Sequence, residues 1–297
     1  MISQGHSLQR GEYLKKKRNK KLLKYGFILF STIFFIVSVV YIFHQSSIRI
    51  SKIELTGKLF VKEKDIEEKS LEFISGSYLW LFPKNNILLY PRKALEKYLK
   101  NSFKRIDTIN INTKNFHTLE IKIMERKPEA LWCTENIPIE TNLENQASST
   151  TSQDASHSKQ KEKCYFMDSN STIFAEAPEF SGDAYFRYYG LVDNGSPIGT
   201  EYIASTTQFR DITEFVSFVR ELSIKPLYIV AKEKGEFSMV ISGGGKIYFD
   251  TKVPISTIKE NLEALLRTEP LTPKPNRDLP IDYIDLRYGN KLFYKLR

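Results

Sequence analysis

Side chains able to do chemistry are few and scattered along this sequence. The four histidines, His6, His44, His117 and His157, stand far apart, and none has a second imidazole three or four positions away. That spacing would put two metal ligands on one helix face. No nucleophile elbow, zinc-protease helix motif or Walker pattern occurs. Gly243-Gly-Gly-Lys246 has the glycines of a phosphate loop without its spacing, so a hairpin turn between Ile241 and Ile247 is expected there. The neighbouring acids Glu67 and Glu68 read as a solvated helix face. The two cysteines, Cys133 and Cys164, are too few for a four-thiolate zinc site. This residue pattern points away from catalysis, cofactors, metals and small-molecule substrates, and toward a protein that works through its surfaces.

The elements that hold these residues begin with an uneven distribution of charge. Of the net +9, a share of +7 sits in residues 1–24, where Arg10, Lys15, Lys16, Lys17, Arg18, Lys20, Lys21 and Lys24 face the single acid Glu12. The other 273 residues carry only about +2, too little to form the basic face that nucleic acid requires. Residues 25–43 then run without a charge, and about 20 apolar residues suffice for a helix to cross the bilayer core. A membrane-spanning helix is expected at 25–43. A cleaved signal peptide shares the basic start, but its apolar core is shorter and ends at small residues, whereas this run ends Ile42-Phe43-His44-Gln45. Tyr25 and Tyr41 fall near the two interfaces, where amphipathic rings prefer to sit. Only Arg49, Lys52, Lys58 and Lys62 occur in the twenty residues after the span. The positive-inside rule therefore keeps the basic tip, 1–24, in the cytoplasm and exports 44–297.

At 297 residues with 41% hydrophobic and 27% charged side chains, the chain is too apolar for a disordered protein and long enough for about two compact units. Residues 48–128 read as the first. Ile48-Arg-Ile-Ser-Lys-Ile-Glu-Leu-Thr-Gly57 alternates and stops at glycine, which predicts a strand and a turn. A surface helix is expected over 61–73 and a second over 91–99, opened by Pro91. Alternation over 105–112 and 118–124 gives two strands joined by a hairpin. The predicted order is β-α-α-β-β.

Residues 129–297 read as the second unit, α+β, with a mostly antiparallel sheet and two packed helices. Strands are expected over 130–133, 164–168, 172–174, 227–231, 236–241, 246–250, 281–286 and 291–296. The helices are expected over 208–222 and from a capping box, Thr257-x-x-Glu260. Residues 134–163 are polar and poor in aromatics, and are expected to form a flexible surface insertion. Cys133 and Cys164 bracket it on strands that should pair. Outside the cytoplasm oxidation is allowed, so a Cys133 to Cys164 disulfide is expected, the alternative being two free, half-buried thiols. The final strand, Lys291-Leu-Phe-Tyr-Lys-Leu-Arg297, is expected to leave one edge unpaired and open to strand addition by another chain, the alternative being that Lys291, Lys295 and Arg297 are ordinary guards against aggregation.

The β-α-α-β-β order, closing with Met124-Glu-Arg-Lys-Pro-Glu-Ala-Leu-Trp132, resembles the POTRA domain of the FtsQ/DivIB bacterial cell-division family and its passage into the next domain. Phe166-Met-Asp-Ser-Asn-Ser-Thr-Ile-Phe174 resembles a family hairpin in which glycine stands near the position of Ser171, and Ile284-Asp-Leu-Arg-Tyr-Gly-Asn290 resembles the family's late V-D-L-R-Y-x-N run. The resemblance implies a non-enzymatic division scaffold in the plasma (inner) membrane, single-pass with a cytoplasmic N-terminus, at the division septum. It implies bitopic coiled-coil partners similar to FtsB and FtsL. It also implies a docking site: Arg287 to pair an acidic partner residue, Tyr288 as an aromatic anchor, and Lys291, Leu292, Phe293 and Tyr294 as the edge that receives the partner strand. A POTRA-bearing chaperone or translocation component that handles exported polypeptides is the alternative.

Overall fold

The structure, a computed structural model, describes residues 5–134, 162–179, 183–190, 192, 196–274 and 277–297. Most of the polar insertion expected over 134–163, including His157, lies outside the described residues. The fold is mixed α+β, and its contacts divide it into two units, Met1–Glu125 and Arg126–Arg297.

The first unit opens with α1 (Gly5–Phe43). The basic tip is not separate from the apolar run: one helix takes in both, because Lys, Arg and Leu are good helix formers and no proline interrupts them. The stretch Lys17–Phe43 is long and apolar enough to cross a membrane. Its rise is about 40 Å, against roughly 30 Å of hydrocarbon.

After α1 come β1 (Lys52–Thr56), α2 (Glu63–Ile74), a small hairpin of β2 (Ser77–Tyr78) and β3 (Phe82–Pro83), α3 (Arg92–Ser102), β4 (Ile106–Asn115) and β5 (Thr118–Glu125). The three-stranded sheet has the order β1-β5-β4. β4 and β5 form the antiparallel hairpin, while β1 lies parallel to β5 because the chain between them crosses over through the helices. Ile66 and Ile74 of α2 and Leu95 and Leu99 of α3 bury against Ile53, Ile111, Leu119, Ile121 and Ile123 of the sheet. Glu125 fastens the end of β5 to the turn after β1. Its Oε1 accepts the backbone N–H of Phe60 at 2.8 Å and of Val61 at 3.0 Å, and its Oε2 pairs with Arg105 at 3.3 Å.

The sequence does not predict the β2–β3 hairpin. Its turn residues, Leu79 and Trp80, both have positive φ, +47° and +61°, and the Leu81 N–H returns to the Tyr78 carbonyl at 3.0 Å. Two successive positive-φ positions in a turn favour Asn-Gly, and left-handed backbone costs other residues about 1–2 kcal/mol each.

The second unit comprises β6 (Ala130–Cys133), β7 (Cys164–Met167), β8 (Ile173–Glu176), β9 (Phe186–Tyr189), α4 (Thr206–Glu221), β10 (Pro226–Ala231), β11 (Glu236–Ile241), β12 (Lys246–Asp250), α5 (Ile255–Leu266), β13 (Ile281–Asp285) and β14 (Phe293–Leu296). They form one nine-stranded, mostly antiparallel sheet in the order β14-β13-β12-β11-β10-β9-β6-β7-β8. β9 is the strand that the sequence does not predict. It sits mid-sheet, parallel to both β6 and β10, and its four aromatic-rich residues are too short for the alternation to register. The helices bury Phe209, Phe215 and Val219 of α4 and Ile258, Leu262 and Leu266 of α5 against Met239, Ile247, Phe249, Ile281 and Ile284. Gly243 and Gly244, at φ +76° and +82°, make the turn between β11 and β12.

The expected capping box does not form. α5 begins two residues before Thr257, directly after Pro254, and makes no side-chain cap bond. Proline fixes the entry φ at −52°, so the helix starts there and Thr257 falls inside it. At α4 a side-chain cap is made: Ser205 Oγ accepts the Gln208 N–H at 3.3 Å.

Cys133 and Cys164 stand opposite each other in the β6–β7 ladder, with Cα atoms 4.1 Å apart, and are joined by a disulfide. On the chain-entropy estimate a closed loop of this length contributes roughly 3–4 kcal/mol, an upper figure because β6 and β7 already restrain the ends. Denatured but unreduced protein is therefore expected to show no reactive thiol in a labelling assay. Replacing both cysteines by serine should lower the urea stability of the second unit by about 2 kcal/mol or more.

Candidate partner-docking edge

β14 is the terminal strand of the nine-stranded sheet, held on one side by β13 and flanked on the other by no strand among the described residues. The register pairs Leu296 with Ile281, Tyr294 with Ile284 and Phe293 with Asp285. Most inward apolar weight is carried by β13, whose Ile281 and Ile284 are fully buried. Leu292, just before β14, packs against the same core. Phe293 and Tyr294 remain about half exposed, at 50% and 48%, and Tyr288 at 55%. Tyr288 and Phe293 meet edge to face, with ring centroids 5.5 Å apart, so two rings of the expected docking set form one exposed aromatic pair. Lys291, at the entry to the strand, is exposed.

An ion pair and an arginine hydrogen bond guard the strand. Lys295 Nζ reaches Asp282 Oδ2 at 2.9 Å across the ladder, and its hydrogen bond holds the Asp282 carboxyl below its ordinary value. Arg297 donates a side-chain hydrogen bond to the Gly243 carbonyl, and its backbone N–H bonds the Pro280 carbonyl at 3.1 Å.

Arg287 is largely spent within the chain. It forks onto Asp285, with Nε to Oδ1 at 2.9 Å and Nη2 to Oδ2 at 2.6 Å, and Nη1 reaches Glu236 Oε2 at 2.7 Å. Its guanidinium also lies 5.4 Å from the Tyr248 ring and 5.7 Å from the Tyr288 ring. Three of its five N–H donors are thus used, and two are left for an acidic group outside. Its principal effect is to fix the turn that presents Tyr288. Asn261 of α5 supports the same turn by donating to the Gly289 carbonyl. Glu236 and Asn261 were beyond sequence reasoning, since each reaches the site from a distant element. The Asp285-x-Arg287 spacing is the available signal, because an aspartate can accept the backbone N–H two residues on and so turn the chain, as it does here at 3.2 Å.

Burial opposes the charge on Asp285, but the side-chain and backbone hydrogen bonds from Arg287 outweigh it and hold the carboxyl below its ordinary value. The same bond to Asp285 raises Arg287.

The disulfide lies well along the sheet from this edge. Glu162 offers a carboxylate within 4.8 Å of the two sulfurs, but sulfurs bonded to each other are not thiolate ligands, so this trio is no metal centre. No protein-family model matches the chain, and no curated protein matches it.

The fork makes a measurable prediction. Arg287→Ala leaves Asp285 and Glu236 without their partner and should cost about 2 kcal/mol in urea unfolding, less than a fully buried pair because Arg287 and Glu236 keep contact with water. The pH dependence has a definite sign. Since the folded Asp285 value is depressed, its stabilisation is complete above the unfolded value of about 3.9 and declines as the pH falls from there through the folded value. Wild-type protein should therefore lose stability below about pH 4 more steeply than Arg287→Ala.

Proposed function

We propose that this chain is a single-span membrane scaffold of the FtsQ/DivIB type, without enzymatic activity, that recruits other bitopic division proteins by strand addition at β14. The observation that carries this is the exposed aromatic edge: a terminal strand with Tyr288, Phe293 and Tyr294 turned to solvent and no neighbouring strand among the described residues. An edge left so apolar is an aggregation hazard unless another chain covers it. Lys295 and Arg297 moderate that hazard without removing it.

Other features support the same reading. The first unit keeps the expected β-α-α-β-β order with the β2–β3 hairpin added between its helices, which supports the POTRA reading. Ser171, at or beside the position where the resembled hairpin has glycine, adopts a positive φ of 65° and donates from Oγ to the Ile203 carbonyl at 2.7 Å. The resembled motifs are built of residues with structural work to do: Arg126 bonds Asp168, and Trp132 Nε1 donates to the Gly190 carbonyl at 3.0 Å. In α1, Phe27, Phe30, Phe34 and Phe35 are each more than 65% exposed, a surface that suits lipid and not water. On this reading the basic tip is cytoplasmic, residues 44–297 are extracytoplasmic, and the protein gathers at the septum. A shared membrane raises the local concentration of its partners.

The test is in-cell photo-crosslinking from a reactive residue at Phe293, with a second probe at exposed Glu68 of α2 as control. A small single-span coiled-coil protein captured at Phe293 alone is the expected result, and Phe293→Ala should weaken that association about tenfold or more. Capture of diverse exported chains at both positions would favour a chaperone, and no adduct at Phe293 would end the strand-addition mechanism.

A further inference from the structure

The β2–β3 hairpin of the first unit presents a second surface. Leu79 and Trp80 at its tip are 86% and 93% exposed, in a turn whose backbone favours glycine or asparagine. Bulky apolar residues held in that conformation point to the side chains themselves as the purpose of the turn.

The direction of the hairpin follows from its contacts. Asn85, beyond its base, accepts the Ile50 N–H at 2.7 Å, and Asn86 Nδ2 donates to the Phe43 carbonyl at 3.0 Å. Nearer the tip, Phe82 meets Phe43, the last residue of α1, edge to face at 5.6 Å. The strand that returns from the tip therefore packs against the last turn of α1. In agreement, Ser38, Val39, Val40 and Phe43 are half-buried, whereas the side chains from 17 to 37 are exposed. Leu88, 69% exposed, and Phe116, 65% exposed in the β4–β5 turn, are further exposed apolar side chains of this unit.

We propose that the tip Leu79-Trp80-Leu81 inserts into the lipid of the membrane that α1 crosses, beside the last turns of α1, as a second anchor that fixes the first unit against the bilayer. This rests on α1 being a membrane span. Given that span, the occupant is phospholipid: the tip is convex and lies beside apolar helix surface. Tryptophan is the residue that favours the interface, with Leu79 beside it for the acyl region. Lys84, 5.6 Å from the Tyr78 ring at the hairpin base, supplies a cation for lipid phosphates. The anchor turns a single tether into two points of attachment and so restricts rotation of the unit about α1.

The full chain reconstituted in phosphatidylcholine vesicles with a minority of phosphatidylglycerol tests this by fluorescence. The only other tryptophan, Trp132, is 7% exposed with its N–H bonded, so quenching reports Trp80. With bromine on the upper acyl chain, most of the emission that Trp80→Phe removes should be lost, while iodide in the water should quench it little. A second chain carrying Trp80→Phe and Phe34→Trp reports the span through bromine near the bilayer centre. If the Phe34→Trp probe is quenched by lipid but Trp80 is quenched by iodide alone, the anchor is overturned and the span stands. If neither is reached by bromine, the span falls and the anchor with it.

Discussion

An open sheet has two outer strands whose backbone donors and acceptors must be satisfied, and the second unit is organised by that constraint. At one end, β8 is covered in part by its own chain: the Ile173 N–H bonds the Thr200 carbonyl at 2.9 Å, and the Gly199 N–H bonds the Ile173 carbonyl at 2.7 Å. At the other end, β14 meets no such cover among the described residues and exposes aromatic rings instead of charges alone. The asymmetry gives the sheet one partly covered end and one end that is open among the described residues. Helices α4 and α5 pay for the ordering of the sheet through their buried face, which leaves the open end free to be shaped by function.

The turn that leads into β14 is held from two sides. Arg287 ties the β13–β14 turn to Asp285 beside it and to Glu236 across the sheet, and Asn261 ties the same turn to α5. A strand added to a prepared edge loses less freedom than one added to a mobile segment. Arg287 thus matters here as much for holding Tyr288 in place as for any charge it offers outward.

How much of this was legible in the sequence depends on the range of the signal. The apolar run of α1 and the alternation of β4, β5, β11 and β12 are local patterns, and the elements stand where those patterns put them. The capping box failed because a local motif competed with a stronger neighbour, Pro254, which starts α5 earlier. β9 escaped notice because Phe-Arg-Tyr-Tyr is short. Its aromatic residues just before Gly190 were the available clue. The β2–β3 turn escaped because Leu-Trp contradicts turn chemistry, and such contradictions gather where a site has a use beyond folding. At the docking edge, exposure of the last strand could be foreseen, but the contact from Glu236 depends on a fold that brings residues 236 and 287 together.

The disulfide at Cys133 and Cys164 has a mechanical consequence. It joins β6 and β7 at the ends where the chain leaves the sheet for residues 134–163, with the two Cα atoms 4.1 Å apart. Tension applied anywhere along that segment is carried by a covalent bond before it reaches the hydrogen bonds of the β6–β7 ladder. The sheet is thus insulated from whatever load, extra length or cargo the segment bears, and a reporter spliced into it would hang from a closed ring instead of from two strands.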